Sequence, residues 1–161
     1  MDLRALALRG HFRLILAPYS LITYLTRPVD VDAFLTQVRE LLADDGQLLL
    51  DAFIPRPVES FEDFRRDYAR PHGSGALERH KRIRQLDDGC NRIERRYEVV
   101  TAGGRTVHRV EVSEVIRPVP PAALVAMLGA AGFRVAESCW DYAARETSAG
   151  AQFYTAVART G

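Results

Sequence analysis

Residues 2–55 read DLRALALRGHFRLILAPYSLITYLTRPVDVDAFLTQVRELLADDGQLLLDAFIP. Within this stretch Phe12–Ala17 (FRLILA) is a short apolar run, the pattern of a strand buried on both faces of a parallel sheet. Pro18-Tyr19-Ser20 ends it. From Val31 to Ala43 apolar residues fall at 31, 34, 35, 38, 41 and 42, a helical stripe whose start Asp30 can cap. Asp44-Asp45-Gly46 stops the helix, and Gln47–Phe53 (QLLLDAF) reads as a second buried strand. Strand, helix, strand with short links is a βαβ unit, which implies parallel strands and a right-handed crossover. Asp51 stands inside the second apolar strand. A buried carboxylate needs a partner, so Asp51 is either hydrogen-bonded to nearby backbone or aimed at a substrate.

Downstream the pattern breaks over Ile54–Pro57, which holds two prolines. The spacing of Phe61, Phe64 and Tyr68 predicts one face of a short helix, and Pro71–Ala76 (PHGSGA) predicts a loop. From Leu77 to Ile116 the sequence alternates. Ile93, Arg95, Tyr97 and Val99 share one parity, Glu94, Arg96 and Glu98 the other, and Val110 and Val112 repeat the pattern after Ala102-Gly103-Gly104. Two or three antiparallel strands with one wet face follow. Residues 77–116 therefore read as an antiparallel insertion within a single domain, 1–161. Pro121 then opens a helix over 122–131 with Leu124, Met127, Leu128 and Ala131 on its stripe, and Gly132 stands at its C-cap. Phe133–Tyr142 and Ala151–Arg159 read as two closing strands, joined by a polar loop with Glu146, Thr147, Ser148 and Gly150.

Composition excludes several functions. The 161 residues carry 22 Lys+Arg against 21 Asp+Glu, so no global charge draws the chain to nucleic acid or an anionic membrane. Lys81 is the only lysine. Cys90 and Cys139 have neither zinc-site nor disulfide-framework spacing. His11, His72, His80 and His108 are scattered, so no metal site is expected. No apolar run reaches the ~20 residues of a membrane span, and a cytoplasmic location is the expectation.

Several stretches together resemble the class I S-adenosylmethionine-dependent methyltransferases of the small-molecule type. FRLILAPYSLITYL is similar to that family's fourth strand and following loop, and LADDGQLLLDAFIP to its glycine turn and fifth strand. VIRPVPPAALVAMLGAAGFRVAESCWDYA resembles its R-x-P-x-x-L-x-x-L-L-x-x-A-G-F helix and sixth strand, and AQFYTAVART its last strand. The resemblance implies an α/β fold, a partial Rossmann-like sheet of family strands 4-5-7-6 with the last strand antiparallel. The 77–116 meander is inserted in it. The family's first strand with its glycine turn, and the acidic residue ending its second strand, have no counterpart here. The resemblance covers the C-terminal half of the family's catalytic domain.

Site residues follow from the resemblance. Asp2 stands where the family's adenine-contacting acid lies, so Asp2, Leu3 and Pro18 are candidate cofactor contacts; an exposed terminal Asp is the other reading. Methyl transfer needs alignment more than an acid–base pair, and ligands sit outside the carboxyl ends of parallel strands. That rim holds Tyr19 and Ser20 as catalytic candidates, Tyr19 to wall the methyl channel and Ser20 to orient an amine or hydroxyl. Tyr24, Asp51 and Phe53 are candidate substrate contacts. Tyr19 and Tyr24 could instead only pack the next helix. His72 and Arg79 could reach substrate from the insertion, or sit in a solvated loop and a solvated charged face. Trp140-Asp141-Tyr142 reads as core and rim packing.

The functional expectation is methyl transfer from S-adenosylmethionine to a nitrogen or oxygen of a small molecule, with no metal. Activity is expected only when the chain is completed by a missing N-terminal half or a partner. The rivals are a non-catalytic or regulatory partner of a full-length methyltransferase, and a cofactor-free cyclase or isomerase on the same scaffold. Without the family's first strand, 12–17 becomes an apolar edge. It is expected to pair with an N-terminal methyltransferase half, a full-length methyltransferase or a second copy.

Overall fold

The computed structural model describes residues 2–55, 59–143 and 148–161. Two compact units emerge: 1–56 with 117–161, and 57–116. In the first unit, β1 (Phe12–Ala17), β2 (Leu42–Phe53), β7 (Phe133–Trp140) and β8 (Phe153–Thr160) form one sheet of order β1-β2-β8-β7. β1 and β2 are parallel neighbours with Ala17 opposite Leu50, and β8 runs antiparallel to both β2 and β7. This is the expected order 4-5-7-6. Helix α1 (Pro28–Leu41) provides the crossover, and α2 (Pro121–Ala130) precedes β7. Leu48, Leu50 and Ala52 point from alternate positions of β2 into a core shared with Val31, Leu35, Val38, Leu124 and Leu128. Their opposite parity in β2, Leu49, Asp51 and Phe53, lies on the other face.

Three local expectations are corrected. First, Asp30 is not the helix cap. Arg27 holds that position in extended conformation and Pro28 is the first helical residue, where its missing N–H and fixed φ are no loss. Asp30 sits inside the first turn, 3.9 Å from Arg27. Second, the stop at Asp44-Asp45-Gly46 is already strand, because the chain turns extended at Leu42. The β1–β2 register shifts between Phe12 and Leu14 to absorb it. Gly46 fits this close approach: a Cβ there would lie 2.8 Å from the carbonyl oxygens of both Ala43 and Phe12.

Third, Phe61, Phe64 and Tyr68 are not on a helix. They belong to β3 (Phe61–His72), the first strand of the second unit, whose sheet has the order β3-β4-β5-β6. Its other strands are β4 (Gly75–Gln85), β5 (Asn91–Val100) and β6 (Thr106–Ile116), and all neighbours are antiparallel. The helical spacing of the aromatics is accommodated by register shifts between Phe61 and Arg65 and between Arg66 and Tyr68. Phe64 lies under the guanidinium groups of Arg82 and Arg96 at 4.7 and 4.0 Å, whereas Tyr68 lies opposite Arg79 on the alternate parity. Sheet pairing therefore overrides the local period. The same pairing narrows the expected 71–76 loop to Gly73-Ser74, with Gly73 at φ +57°. The antiparallel strands thus begin at Phe61, ahead of 77. In the loop after β7, Glu146 and Thr147 lie outside the described residues, as does Pro57 in the earlier proline break.

Candidate active-site rim

The carboxyl ends of β1 and β2 carry an unusual turn. Tyr19 and Ser20 both adopt left-handed backbone conformations, at φ 60° and 54°. Two consecutive non-glycine residues in that region are strained, at roughly 1–3 kcal/mol each, and persist only where their surroundings over-determine them. Asp51 provides that constraint. Its side chain is fully buried, and it accepts the Tyr19 N–H at 3.0 Å on Oδ2 and the Ser20 N–H at 2.6 Å on Oδ1. Ser20 returns the link: its Oγ accepts the Phe53 N–H at 2.5 Å, and its carbonyl accepts from Thr23 Oγ1 at 2.7 Å at the head of the short 3-10 turn Leu21–Tyr24.

A second strained pair meets the same carboxylate. Asp141 and Tyr142, after β7, have φ 51° and 59°. Asp141 Oδ1 accepts the N–H groups of Gln152 and Phe153 at 2.7 and 2.9 Å, which ties this turn to the start of β8. The Tyr142 hydroxyl then donates to Asp51 Oδ2 at 2.7 Å. Burial of the phenol's polar end, and then the Asp51 hydrogen bond, push the Tyr142 hydroxyl well above the ordinary tyrosine range. Tyr142 packs on Phe153 with ring centroids 5.4 Å apart, and Phe153 on Phe53 at 4.4 Å.

Of the residues singled out by sequence, Pro18, Tyr19, Ser20, Asp51 and Phe53 converge on this rim. Ser20 is 1 % exposed, whereas Tyr19 is 77 % exposed and Phe53 half exposed. Asp2, Leu3 and Tyr24 come together elsewhere in the same unit. With Arg4, Arg27 and Asp30 they line a cavity of about 460 Å³. His72 and Arg79 belong to the antiparallel unit. His72 pairs with Gly75 at the end of its hairpin, and Arg79 is held by both oxygens of Asp67 at 2.9 and 3.0 Å. Asp141, Tyr142, Phe153 and Thr155 are rim residues that sequence reasoning did not assign to the site. The Tyr142–Asp51 bond spans 91 positions, and no local spacing signals it.

The 460 Å³ cavity has the size of a small-molecule site, yet its carboxylates are engaged. Arg4 grips both oxygens of Asp2 and holds its carboxyl down at about 2, and Asp30 faces Arg27. With both Asp2 oxygens taken by Arg4 and Asp30 contacting Arg27 only at 3.9 Å, the described residues do not by themselves supply every group that S-adenosylmethionine needs. Among the described residues no cluster of His, Cys, Asp and Glu can hold a metal, and no helix is long and apolar enough to cross a membrane.

No protein-family model matches the sequence, and no curated protein does. Solved structures do match the fold. An S-adenosylmethionine-dependent methyltransferase from Clostridium acetobutylicum ATCC 824 superposes with a TM-score of 0.80 at 13% identity, over 100% of this chain and 63% of that one. CalS10 from Micromonospora echinaspora, an amino pentose methyltransferase involved in calicheamicin biosynthesis and solved with S-adenosylmethionine bound, gives 0.72 at 18% identity, over 98% and 62%. The sugar N-methyltransferase KedS8 from Streptoalloteichus sp ATCC 53650 gives 0.71 at 17%, over 100% and 61%. The chain therefore spans less than two thirds of the length of each, and what it shares with these S-adenosylmethionine-dependent small-molecule methyltransferases is the fold.

Proposed function

We propose that the chain is the acceptor-side part of an S-adenosylmethionine-dependent methyltransferase that acts on a nitrogen or oxygen of a small molecule. The observation that carries this reading is the Pro18-Tyr19-Ser20 elbow, bolted to buried Asp51 at the carboxyl ends of two parallel strands. Methyl transfer depends on holding the acceptor in line, and a strained, multiply bonded elbow is a means of doing so. Ser20 acts as a positioning residue, since its hydroxyl oxygen is taken by the Phe53 N–H. The exposed Tyr19 ring is the part of the elbow that meets the acceptor. When bound, S-adenosylmethionine supplies the electrophilic methyl group. Two of the fold's neighbours, named for an amino pentose and for sugar nitrogen, favour an amine acceptor.

Activity on this reading needs the part of the methyltransferase fold that the chain does not span. Strand β1 ends the sheet, with Leu14 53% and Leu16 58% exposed on the face away from the core. An apolar edge with open N–H and C=O groups favours pairing, and its occupant is the remainder of the methyltransferase fold. Calorimetry of the chain with S-adenosylmethionine is expected to show no tight binding. Once the sheet is completed, radiolabelled methyl should reach small amines, and Tyr19→Ala should cut that rate by roughly a hundredfold. Tight one-to-one binding by the chain alone overturns the requirement for completion. Absence of transfer from the completed protein overturns the function.

A further inference from the structure

We propose that β6 is an interface strand, which pairs antiparallel with β6 of a second copy of this chain across a two-fold axis. β6 ends the antiparallel sheet, and among the described residues no strand lies on its outer side. Residues 106–113 are exposed at every position, with Val107, Val110 and Val112 52%, 46% and 39% exposed. The two edges of this sheet differ. β3 carries Pro71 and two register irregularities, which blunt an edge. β6 has neither proline nor glycine, and its register with β5 is regular over 108–116. Its valines, with Thr106 and Ile116, suit a pleated strand packed against neighbours.

The charge pattern selects the partner and the register. A two-fold axis perpendicular to the sheet keeps each face on its own side, so positions of equal parity meet and the position on the axis meets its own copy. With Val110 on the axis, Arg109 of each copy lies opposite Glu111 of the other. A shift of the axis by one residue sets Arg109 or Glu111 against itself. The ion pairs within the sheet extend this match. Arg109 lies opposite Glu98 of β5 and donates to its Oε1 at 2.6 Å, and Glu111 lies opposite Arg96 and accepts from its Nε at 2.7 Å. Across the seam the row reads Glu98 and Arg109 of one copy, then Glu111 and Arg96 of the other, alternating in sign over four strands. The same row repeats on the far side of the axis. The Arg109 and Glu111 side chains remain 53% and 52% exposed in their present pairs, so each has surface left for a second counter-charge. Opposite charges facing across strands stabilise a sheet and like charges destabilise it. A second copy supplies both charges in the required order.

Sedimentation equilibrium at micromolar concentration tests the pairing. Every chain carries Leu14→Lys, which places a charge on the β1 edge and removes association through that edge. The Leu14→Lys chain should dimerise. Adding Arg109→Glu sets glutamate opposite glutamate at both sides of the axis, and adding Glu111→Arg sets arginine opposite arginine. Each change alone should weaken the dimer at least about tenfold. An equimolar mixture of the two variants restores opposite charges at both sides and should regain the dimer, a recovery that misfolded chains cannot give. If either charge variant fails to fold, Val110→Lys decides. That position is half exposed and outside the ion pairs, and the change places two ammonium groups on the axis, so it should weaken the dimer to the same extent. A monomeric Leu14→Lys chain, a dimer indifferent to Arg109→Glu or to Val110→Lys, or a mixture no tighter than its components overturns the interface.

Discussion

The α/β unit buries Leu35, Val38, Leu48, Leu50, Leu124 and Leu128 to 0% exposure, whereas among the described residues of 57–116 the buried apolar ones are Ile83 and Cys90. In place of a core, the antiparallel unit carries charge pairs across its strands. Arg82 and Arg84 share Glu94, Arg95 meets Glu114, Arg96 meets Glu111 and Arg109 meets Glu98. Phe64 lies beneath two of these arginines. One unit is specified by burial, which is non-directional and is not weakened by charge screening. The other is specified by pairings that act residue by residue across strands. The strained rim belongs to the first, where a packed core can hold Tyr19, Ser20, Asp141 and Tyr142 in left-handed conformations.

The sharpest way to break this contrast is to delete the same kind of side chain from each unit. Leu50→Ala removes a fully buried side chain from the centre of β2, and it is expected to cost about 2–5 kcal/mol. Ile83→Ala, at the most buried apolar position of the antiparallel sheet, should cost less, at or below the lower end of that range. Trp140 is the chain's only tryptophan and lies in β7, so its fluorescence during urea unfolding reports the α/β unit. Hydrogen exchange of β4 amides reports the other. Equal costs in the two units would end the argument from burial.

Asp51→Ala comes next. It leaves the Tyr19 and Ser20 N–H groups and the Tyr142 hydroxyl without their common acceptor. Losing a buried charged acceptor that serves several donors should cost roughly 3 kcal/mol. The same urea curves measure it. A loss below about 0.5 kcal/mol would mean that the elbow is held by other contacts.

The comparison also explains what could be read from sequence. FRLILA and QLLLDAF, with a helical stripe between them, specify a parallel pair because burial imposes its own period, and β1 and β2 are as expected. Asp51 was legible as an anomaly, a carboxylate in an apolar strand, and the structure meets its need through the backbone of Tyr19 and Ser20. β3 was not legible. Its aromatics have helical spacing, and the two register shifts that split them between faces follow from its pairing with β4. Tyr142 was not legible for a related reason: its partner lies 91 positions away, and its role depends on a left-handed turn that a non-glycine residue does not announce.

Acid should separate the units. The Arg82 hydrogen bonds hold the Glu94 carboxyl below its ordinary value of 4.5, against the opposing pull of desolvation. For Asp67, desolvation acts upward, but the Arg79 hydrogen bonds and charge outweigh it and its carboxyl is also lowered. A lowered carboxyl contributes stability that is present above its unfolded value and is lost as pH falls through its folded value. Exchange protection in β4 and β5 should therefore fall as pH drops below about 4.5, before protection in β2 does. Each pair is partly exposed and screened by solvent, so Glu94→Gln should have a small effect at pH 7. Molar salt should act in the same direction as acid. Simultaneous loss in both units would show that the antiparallel sheet has no stability of its own kind.

Tyr142→Phe is the smallest of these changes and tests the rim from the alkaline side. It keeps the ring on Phe153 and removes only the hydroxyl that reaches Asp51. A hydrogen bond to a carboxylate is worth about 1.5–3 kcal/mol when buried. Tyr142 is 53% exposed, so solvent should reduce the loss to about 1 kcal/mol or less. Its hydroxyl is pushed above the ordinary tyrosine value of 10.0, first by desolvation and then by Asp51. A raised value means that the folded chain favours the neutral phenol. The contribution is then fully present below about pH 10 and is lost as pH rises through the folded value, because a phenolate would face the Asp51 carboxylate with no proton between them. The antiparallel sheet is thus expected to weaken at the acid end and the rim at the alkaline end. Urea midpoints for the parent chain and Tyr142→Phe, taken from pH 7 to 11, isolate this effect because the other tyrosines are common to both. The gap between the two midpoints should be constant to about pH 10 and close above it. A gap that is absent at pH 7, or unchanged to pH 11, would remove Tyr142 from the set of contacts that hold Asp51 and leave the elbow to the backbone of Tyr19 and Ser20 alone.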